Sequence, residues 1–133
     1  MLQAQDLSTA VPIVGNWTYA TSADGSEAIL ADTSAKPQLW IRCTRATRRV
    51  TISKTATAAT PSINVWTSSL SRSVAASFNP ATGRLTIELM NYDPLLDAIA
   101  SSRGRVGFSV AGQPPLVVSP WAEVARVIDD CRA

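Results

Sequence analysis

The stretch "PQLWIRCTRATRRVTISK", residues 37–54, contains two runs in which apolar and polar residues alternate, separated by a segment rich in arginine. Alternation with a period of two is typical of a β-strand with one buried face. The stretch therefore predicts two paired strands, with residues 44–48 forming the tip of the hairpin. The positions predicted to face the core are Leu39, Ile41, Cys43, Val50 and Ile52.

Further short strands, separated by turn residues, are predicted on both sides of this hairpin. Residues 16–32 form a predicted hairpin with Asp24-Gly25 as its turn, a dipeptide favoured between paired strands. Later strands are predicted within residues 62–69, 73–90 and 105–119, and the middle one is a hairpin that turns at "NPATG".

Two segments instead have helical signals. "DPLLDAIASSRG" starts with a candidate N-cap, Asp93, followed by a proline, and predicts a helix near 93–103. "SPWAEVARVIDDCR" has the same start, with Ser119 as the predicted N-cap, and predicts a helix near 120–131 that closes one end of the domain. Its apolar residues at helical spacing are Trp121, Val124, Ile128 and Cys131.

The chain has 133 residues, of which 46% are hydrophobic and 17% charged, a composition suited to one globular, β-rich domain. We predict a flexible N-terminal segment over residues 1–15 and a single β-rich domain over residues 16–133. The expected fold is mainly β: an antiparallel β-sandwich or barrel-like sheet with two short helices, the second C-terminal.

Charge and hydropathy exclude several classes of protein. The net charge of +2 is too small to indicate a nucleic-acid partner. No apolar run approaches the ~20 residues of a transmembrane helix, so no membrane span is expected. The first residues lack the pattern of a signal peptide, which leaves two alternatives: a cytoplasmic protein, or the mature form of an exported protein with an added start methionine.

Cys43 and Cys131 are the only cysteines, and the chain contains no histidine. This excludes a Cys-His nucleophile and leaves too few sulfurs for a zinc site, so no metal, cofactor or catalytic residue is expected. The two cysteines are either joined in a disulfide or two buried thiols. We favour the disulfide because each cysteine lies on the apolar face of its element.

Four arginines lie close together around the tip of the hairpin: Arg42, Arg45, Arg48 and Arg49. Such a cluster is a candidate binding patch for phosphate or acidic groups. The alternative, which we favour, is that it solvates the hairpin and deters pairing with other chains.

The four tryptophans are a second candidate site, because they would line a pocket if they converged between the sheets. They are Trp17, Trp40, Trp66 and Trp121. More often, tryptophans of this kind cover the ends of a small β core.

Several segments resemble a family of uncharacterised exported alphaproteobacterial proteins. The likeness is carried by "DPLLDAIASSRGR" (93–105) and "SPWAEVARVIDDCR" (119–132), together with the early "GNW" and "LWIRC". The two cysteines and the leading tryptophan are also distantly similar to invasion-associated locus B proteins and type VI secretion accessory proteins. The resemblance implies an exported β domain in which Cys43 and Cys131 are bridged.

The expected function is accordingly that of a periplasmic or secreted, non-enzymatic domain that binds another component of the bacterial envelope, either a protein or a small molecule. A small-ligand carrier with a pocket lined by tryptophans is one alternative. A histidine-free hydrolase is a less favoured one, since the chain lacks a nucleophile motif such as GxSxG.

Overall fold

The computed structural model describes residues 6–133. This part of the chain is 45% strand and 14% helix, so the prediction of a mainly β fold is confirmed. The strands are β1 (Gly15–Ser22), β2 (Gly25–Asp32), β3 (Pro37–Thr44), β4 (Arg49–Thr55), β5 (Ser62–Trp66), β6 (Ser71–Ala75), β7 (Ser77–Asn79), β8 (Arg84–Met90), β9 (Val106–Ser109) and β10 (Leu116–Val118); the helices are α1 (Pro94–Ala100) and α2 (Ala122–Arg132).

The strands form two antiparallel sheets that share one hydrophobic core. The first sheet has the order β1-β2-β3-β4-β8-β7 and the second the order β10-β9-β5-β6. Between β6 and β7 the chain passes from the second sheet to the first at Ala76. Of the two predicted architectures, the sandwich is therefore the correct one, and the sheets do not close into a barrel.

The β3–β4 hairpin lies at the centre of the first sheet and has the predicted register. Ile41 pairs with Ile52, which pairs in turn with Ile87 of β8. The positions predicted to face inward are all buried, because the opposite layer covers this face of the sheet. Residues 45–48 connect the two strands, close to the predicted tip.

The first hairpin turns one residue earlier than predicted. Ser22 pairs with Gly25, so the turn consists of Ala23 and Asp24, and Gly25 already belongs to β2. The reason lies in the neighbouring strand, because a Cβ atom on Gly25 would lie only 1.8 Å from the carbonyl oxygen of Cys43. Glycine is therefore needed at this position so that β3 can approach closely, and not because the turn requires it.

Both helices are present, with one difference at the end of α1. It ends at Ala100, short of the predicted residue 103, because Ser101 already leaves the helical conformation. Asp93 is the N-cap as predicted, and its carboxylate accepts a hydrogen bond from the backbone N–H of Leu95.

Two predictions for α2 are wrong. The N-cap position is Trp121 and not Ser119, whose hydroxyl donates to the carbonyl oxygen of Gly104 at 3.4 Å. Trp121 is 54% exposed, because the helix begins only after it and its side chain is not on the buried face. The residues of α2 that are buried are Val124, Val127, Ile128 and Cys131.

Residues 6–14 pack against the domain before the predicted boundary at residue 16. Leu7 is 4% exposed and lies directly over Gly107 of β9, where a Cβ atom would be 2.1 Å from its Cδ1. The backbone N–H of Ile13 donates to the carbonyl oxygen of Val117 in β10. The prediction of a flexible segment over residues 1–15 falls partly on residues 1–5, which lie outside the described residues.

We expect Leu7→Ala to lower the free energy of unfolding by about 2 kcal/mol or more, because it removes a buried side chain from the outer face of the second sheet. Val11→Ala is the matched control within the same segment, since Val11 is 85% exposed; its effect should stay within about 0.5 kcal/mol. Urea unfolding of both variants measures this. Equal, small effects would show that the segment contributes no stability.

Candidate functional site

A disulfide joins Cys43 of β3 to Cys131 of α2, with the two Cα atoms 5.5 Å apart. Both residues are buried in the core. The predicted pairing is confirmed, and the alternative of two buried thiols is excluded. Because both sulfurs are bonded, neither is available as a nucleophile or a metal ligand.

The bridge fixes the last helix against the first sheet, at the end where β3 leaves the core. Nearby, the hydroxyl of Tyr19 donates to the carboxylate of Asp130, and the guanidinium of Arg126 lies 4.1 Å from the centre of the Tyr19 ring. At the end of the helix, Arg132 donates to the carboxylate of Asp97 in α1. The helix thus packs against the first sheet, mainly on β2 and β3, and contacts α1.

The four arginines of the candidate patch lie around the β3–β4 turn, and three of them bond to groups of the same chain. Arg42 pairs with Asp24 at 2.6 Å, and Arg49 with Glu88 at 3.2 Å. Arg48 donates to the carbonyl oxygen of Ala133 at 2.9 Å. Hydrogen bonds from Ser22 and then Arg42 hold the pKa of Asp24 below its ordinary value.

Local carboxylates therefore neutralise part of the charge of the arginine cluster. Arg42 and Arg49 share the outward face of the first sheet, as their positions on paired strands predict. Their pairs are exposed, so each contributes little to stability. This arrangement fits the solvating role that we favour for the cluster.

The tryptophans do not line a common pocket, and this candidate site is corrected. Trp17 and Trp40 lie on opposite faces of the first sheet, because Trp17 is in register with Leu30 and Leu39 whereas Trp40 is in register with Ile29. The indole Nε1 of Trp17 donates to the carbonyl oxygen of Ser119. The guanidinium carbon of Arg84 lies over the ring of Trp40, 3.6 Å from the centre of that ring.

Trp66 and Trp121 are in other parts of the molecule. Trp66 ends β5 and lies beside Gly107 and Leu7, on the outer face of the second sheet. Trp121 is largely exposed. The four indoles therefore cover separate parts of the domain, which is the more common role of tryptophan in a small β fold.

A cleft of about 390 Å³ opens at the end of the sandwich away from the disulfide. It lies between the ends of β3 and β4 and the loop that connects β9 to β10. Its walls combine polar side chains with proline and aliphatic surface. The lining residues are Gln38, Lys54, Thr55, Ala56, Thr57, Gln113, Pro114, Pro115 and Leu116.

Lys54 is the charged residue of this cleft, and it occupies a core-facing position of β4. It is in register with Leu39 on one side and Leu85 on the other, both fully buried. Lys54 itself is 7% exposed, and its Nζ donates to the carbonyl oxygen of Thr55 at 2.9 Å. Burial lowers the pKa of the ammonium group, because it disfavours the charged form.

Sequence reasoning did not single out Lys54, although a signal was present. The alternation that places Val50 and Ile52 inward also places Lys54 inward if it is continued by one step. A lysine in phase with core residues is unusual, since lysine is almost never fully buried unless it is paired. The cleft itself had no signal, because it depends on the distant residues 113–116.

Within residues 6–133, no helix is both long enough and apolar enough to cross a membrane. The chain matches no protein-family model, no curated protein and no solved structure. The likeness to exported alphaproteobacterial proteins therefore stays an expectation from the sequence.

We expect Cys131→Ser to lower the free energy of unfolding by about 2–5 kcal/mol, because the bridge closes a loop across a sequence separation of 88 residues. The measurement is urea unfolding with and without a reductant. The reductant should weaken the wild type by a similar amount and leave the variant unchanged. Equal stability of oxidised wild type and variant would contradict a stabilising role for the bridge.

Two aspartates of α1 provide a matched test of buried and exposed ion pairs. Asp93 pairs with Arg72 and is 16% exposed, whereas Asp97 pairs with Arg132 and is 63% exposed. Asp93→Ala should lower the free energy of unfolding by about 2 kcal/mol, because it removes a helix cap and a partly buried pair. Asp97→Ala should change it by about 0.5 kcal/mol or less.

The Asp93 pair should also depend on pH. A hydrogen bond from Arg72 lowers the pKa of Asp93 against the effect of burial. Its stabilising effect is therefore complete at neutral pH and is lost as the pH falls below about 4. The difference in stability between wild type and Asp93→Asn should shrink over that range. A constant difference would show that the charge is not involved.

Proposed function

We propose that this chain is an exported, non-enzymatic domain that binds another component of a bacterial cell envelope, in the periplasm or outside the cell. The disulfide between Cys43 and Cys131 carries this proposal. Disulfides persist in oxidising compartments and are rare in the cytosol. This one lies in the core and fastens the last helix, so it is part of the fold rather than a surface modification.

The non-enzymatic part of the proposal rests on the chemistry of the available groups. The chain has no histidine, and both of its thiols are consumed by the bridge. Asp93 and Asp97, which share a helix, are each engaged by an arginine and do not face one another as a general acid and base. A histidine-free hydrolase is therefore the less favoured alternative.

The cleft beside Lys54 favours a second candidate, a carrier of a small ligand. Its volume falls at the small end of the ~300–1,000 Å³ typical of ligand pockets. Its lining lacks the tryptophans that the sequence suggested, but it combines apolar surface with a few polar groups. The bound component of the envelope is accordingly a small molecule or the end of a protein chain.

A photoreactive amino acid at the rim of the cleft tests the proposal in cells that produce the protein. We would place it at Gln113 on the rim and, as a control, at Thr18 on the exposed outer face of β1. The protein should be found in the periplasm or the medium with both cysteines protected from alkylation, and Gln113 alone should give an adduct with an envelope component.

Two outcomes would contradict this proposed function. The first is a cytoplasmic protein whose two thiols react with an alkylating reagent. The second is an oxidised, exported protein that gives no adduct from either position.

A further inference from the structure

We propose that the cleft beside Lys54 binds a carboxylate attached to a small apolar group, and that the Nζ of Lys54 is the cation that holds it. This inference rests on the proposed binding function and names the chemical class of its ligand. Two sources share this chemistry: a free short-chain acid and the C-terminus of a peptide.

The position of Lys54 in the sheet is the first observation. Lys54 lies between Leu39 and Leu85 on neighbouring strands, and both leucines are fully buried. The side chain that carries the ammonium group is therefore flanked by hydrocarbon. A buried charge is costly unless it is paired and hydrogen-bonded. Replacing this lysine by an apolar residue would therefore suit the core better, unless the charge serves a ligand.

The second observation is that residues 6–133 accept only one hydrogen bond from the ammonium group of Lys54. An ammonium group has three N–H donors. The described residues accept one of them, through the carbonyl oxygen of Thr55. In residues 6–133, every ion pair within 4.0 Å involves an arginine, so Lys54 has no carboxylate partner there. A bound carboxylate would supply both the opposite charge and the missing acceptors.

The rest of the lining determines what else the ligand must carry. Ala56, Pro114, Pro115 and Leu116 offer apolar surface, and the volume admits only a small group. The amide of Gln113 can donate to a carboxylate oxygen or accept from a ligand N–H, whereas the amide of Gln38 already donates to Asp32 and accepts from Thr55. These features fit a compact acid with a short aliphatic part.

The charge of the lining favours a carboxylate over a phosphate. Of the residues within 6–133 that line the cleft, Lys54 alone is charged. One positive charge balances one carboxylate, whereas a phosphate monoester carries a charge of about −1.5 to −2 at neutral pH. Phosphate sites also usually employ arginine, and no arginine is among the described residues that line the cleft.

Binding of defined probes to the oxidised protein tests the inference, with calorimetry for affinity and amide NMR shifts for location. The probes are hexanoate, its uncharged analogue hexanamide, N-acetyl-alanyl-alanine with a free C-terminus, and inorganic phosphate. Lys54→Met keeps an unbranched side chain that is one heavy atom shorter, and it removes the charge. Lys36→Met is the matched control, because Lys36 is the other lysine of the chain and is exposed.

At least one carboxylate probe should bind the wild type and shift the amides of residues 54–57 and 113–116. Hexanamide should bind about tenfold or more weakly, and Lys54→Met should weaken carboxylate binding by a similar factor. Lys36→Met should bind as the wild type does. Binding of hexanoate alone identifies a free acid as the source, and binding of the peptide identifies a chain terminus.

The inference is overturned if no carboxylate binds, if hexanamide or Lys54→Met binds equally well, or if phosphate binds more tightly than either acid. Lys54→Met should fold, because it replaces a buried charge with an apolar side chain. Failure of the carboxylates alongside an adduct from Gln113 in cells would mean that the domain binds a ligand of another class. Loss of both would remove the proposed function as well.

Discussion

The structure depends on the β3–β4 hairpin, whose inward residues lie at the centre of the first sheet and belong to the hydrophobic core that both sheets share. Ile41 and Ile52 pair across the hairpin, and their row continues through Ile87 of β8. Because side chains alternate between the faces of a strand, this register places one apolar set against the second sheet and the two helices. A shift by one residue would turn Leu39, Cys43 and Val50 towards solvent.

The same hairpin has chemically different ends. Cys43 is four residues from Leu39, the partner of Lys54, which corresponds to about 13 Å along the strand. At the Cys43 end, α2 covers the core and a covalent bond holds it there. At the Lys54 end, a loop with two consecutive prolines leaves a cleft. One end of the hairpin is thus fixed by a covalent bond, and the opposite end carries the cleft in which we propose a binding site.

The charged residues that stabilise the fold differ from Lys54 of the candidate site in how their charges are paired. Arg72 and Asp93 form a bidentate pair that also caps α1, so the charge and hydrogen-bonding capacity of the carboxylate are used within the fold. Arg132 links α2 to α1 in a similar way. Lys54 differs, because the residue is 7% exposed whereas the side chains of Arg72 and Arg132 are 39% and 19% exposed, and its ammonium group donates to one acceptor of the fold. Arg72 and Arg132 are each paired with a carboxylate of the fold, whereas Lys54 has no carboxylate partner within residues 6–133.

Local patterns in the sequence determined the class of the fold and the strands of the central hairpin. They also determined the cap at Asp93 and the apolar face that ends in Cys131. These features follow from the sequence because alternation and capping act over a few residues. They also favoured the bridge, since two inward faces that share one core bring their cysteines together. Only the tertiary structure decided the exposure of Trp121, the separation of the four tryptophans and the burial of Leu7 over Gly107. It also decided the surroundings of Lys54, because the cleft beside it is formed by segments about 60 residues apart in the chain. Contacts between such distant segments follow from how the two sheets pack, and no local pattern specifies that packing.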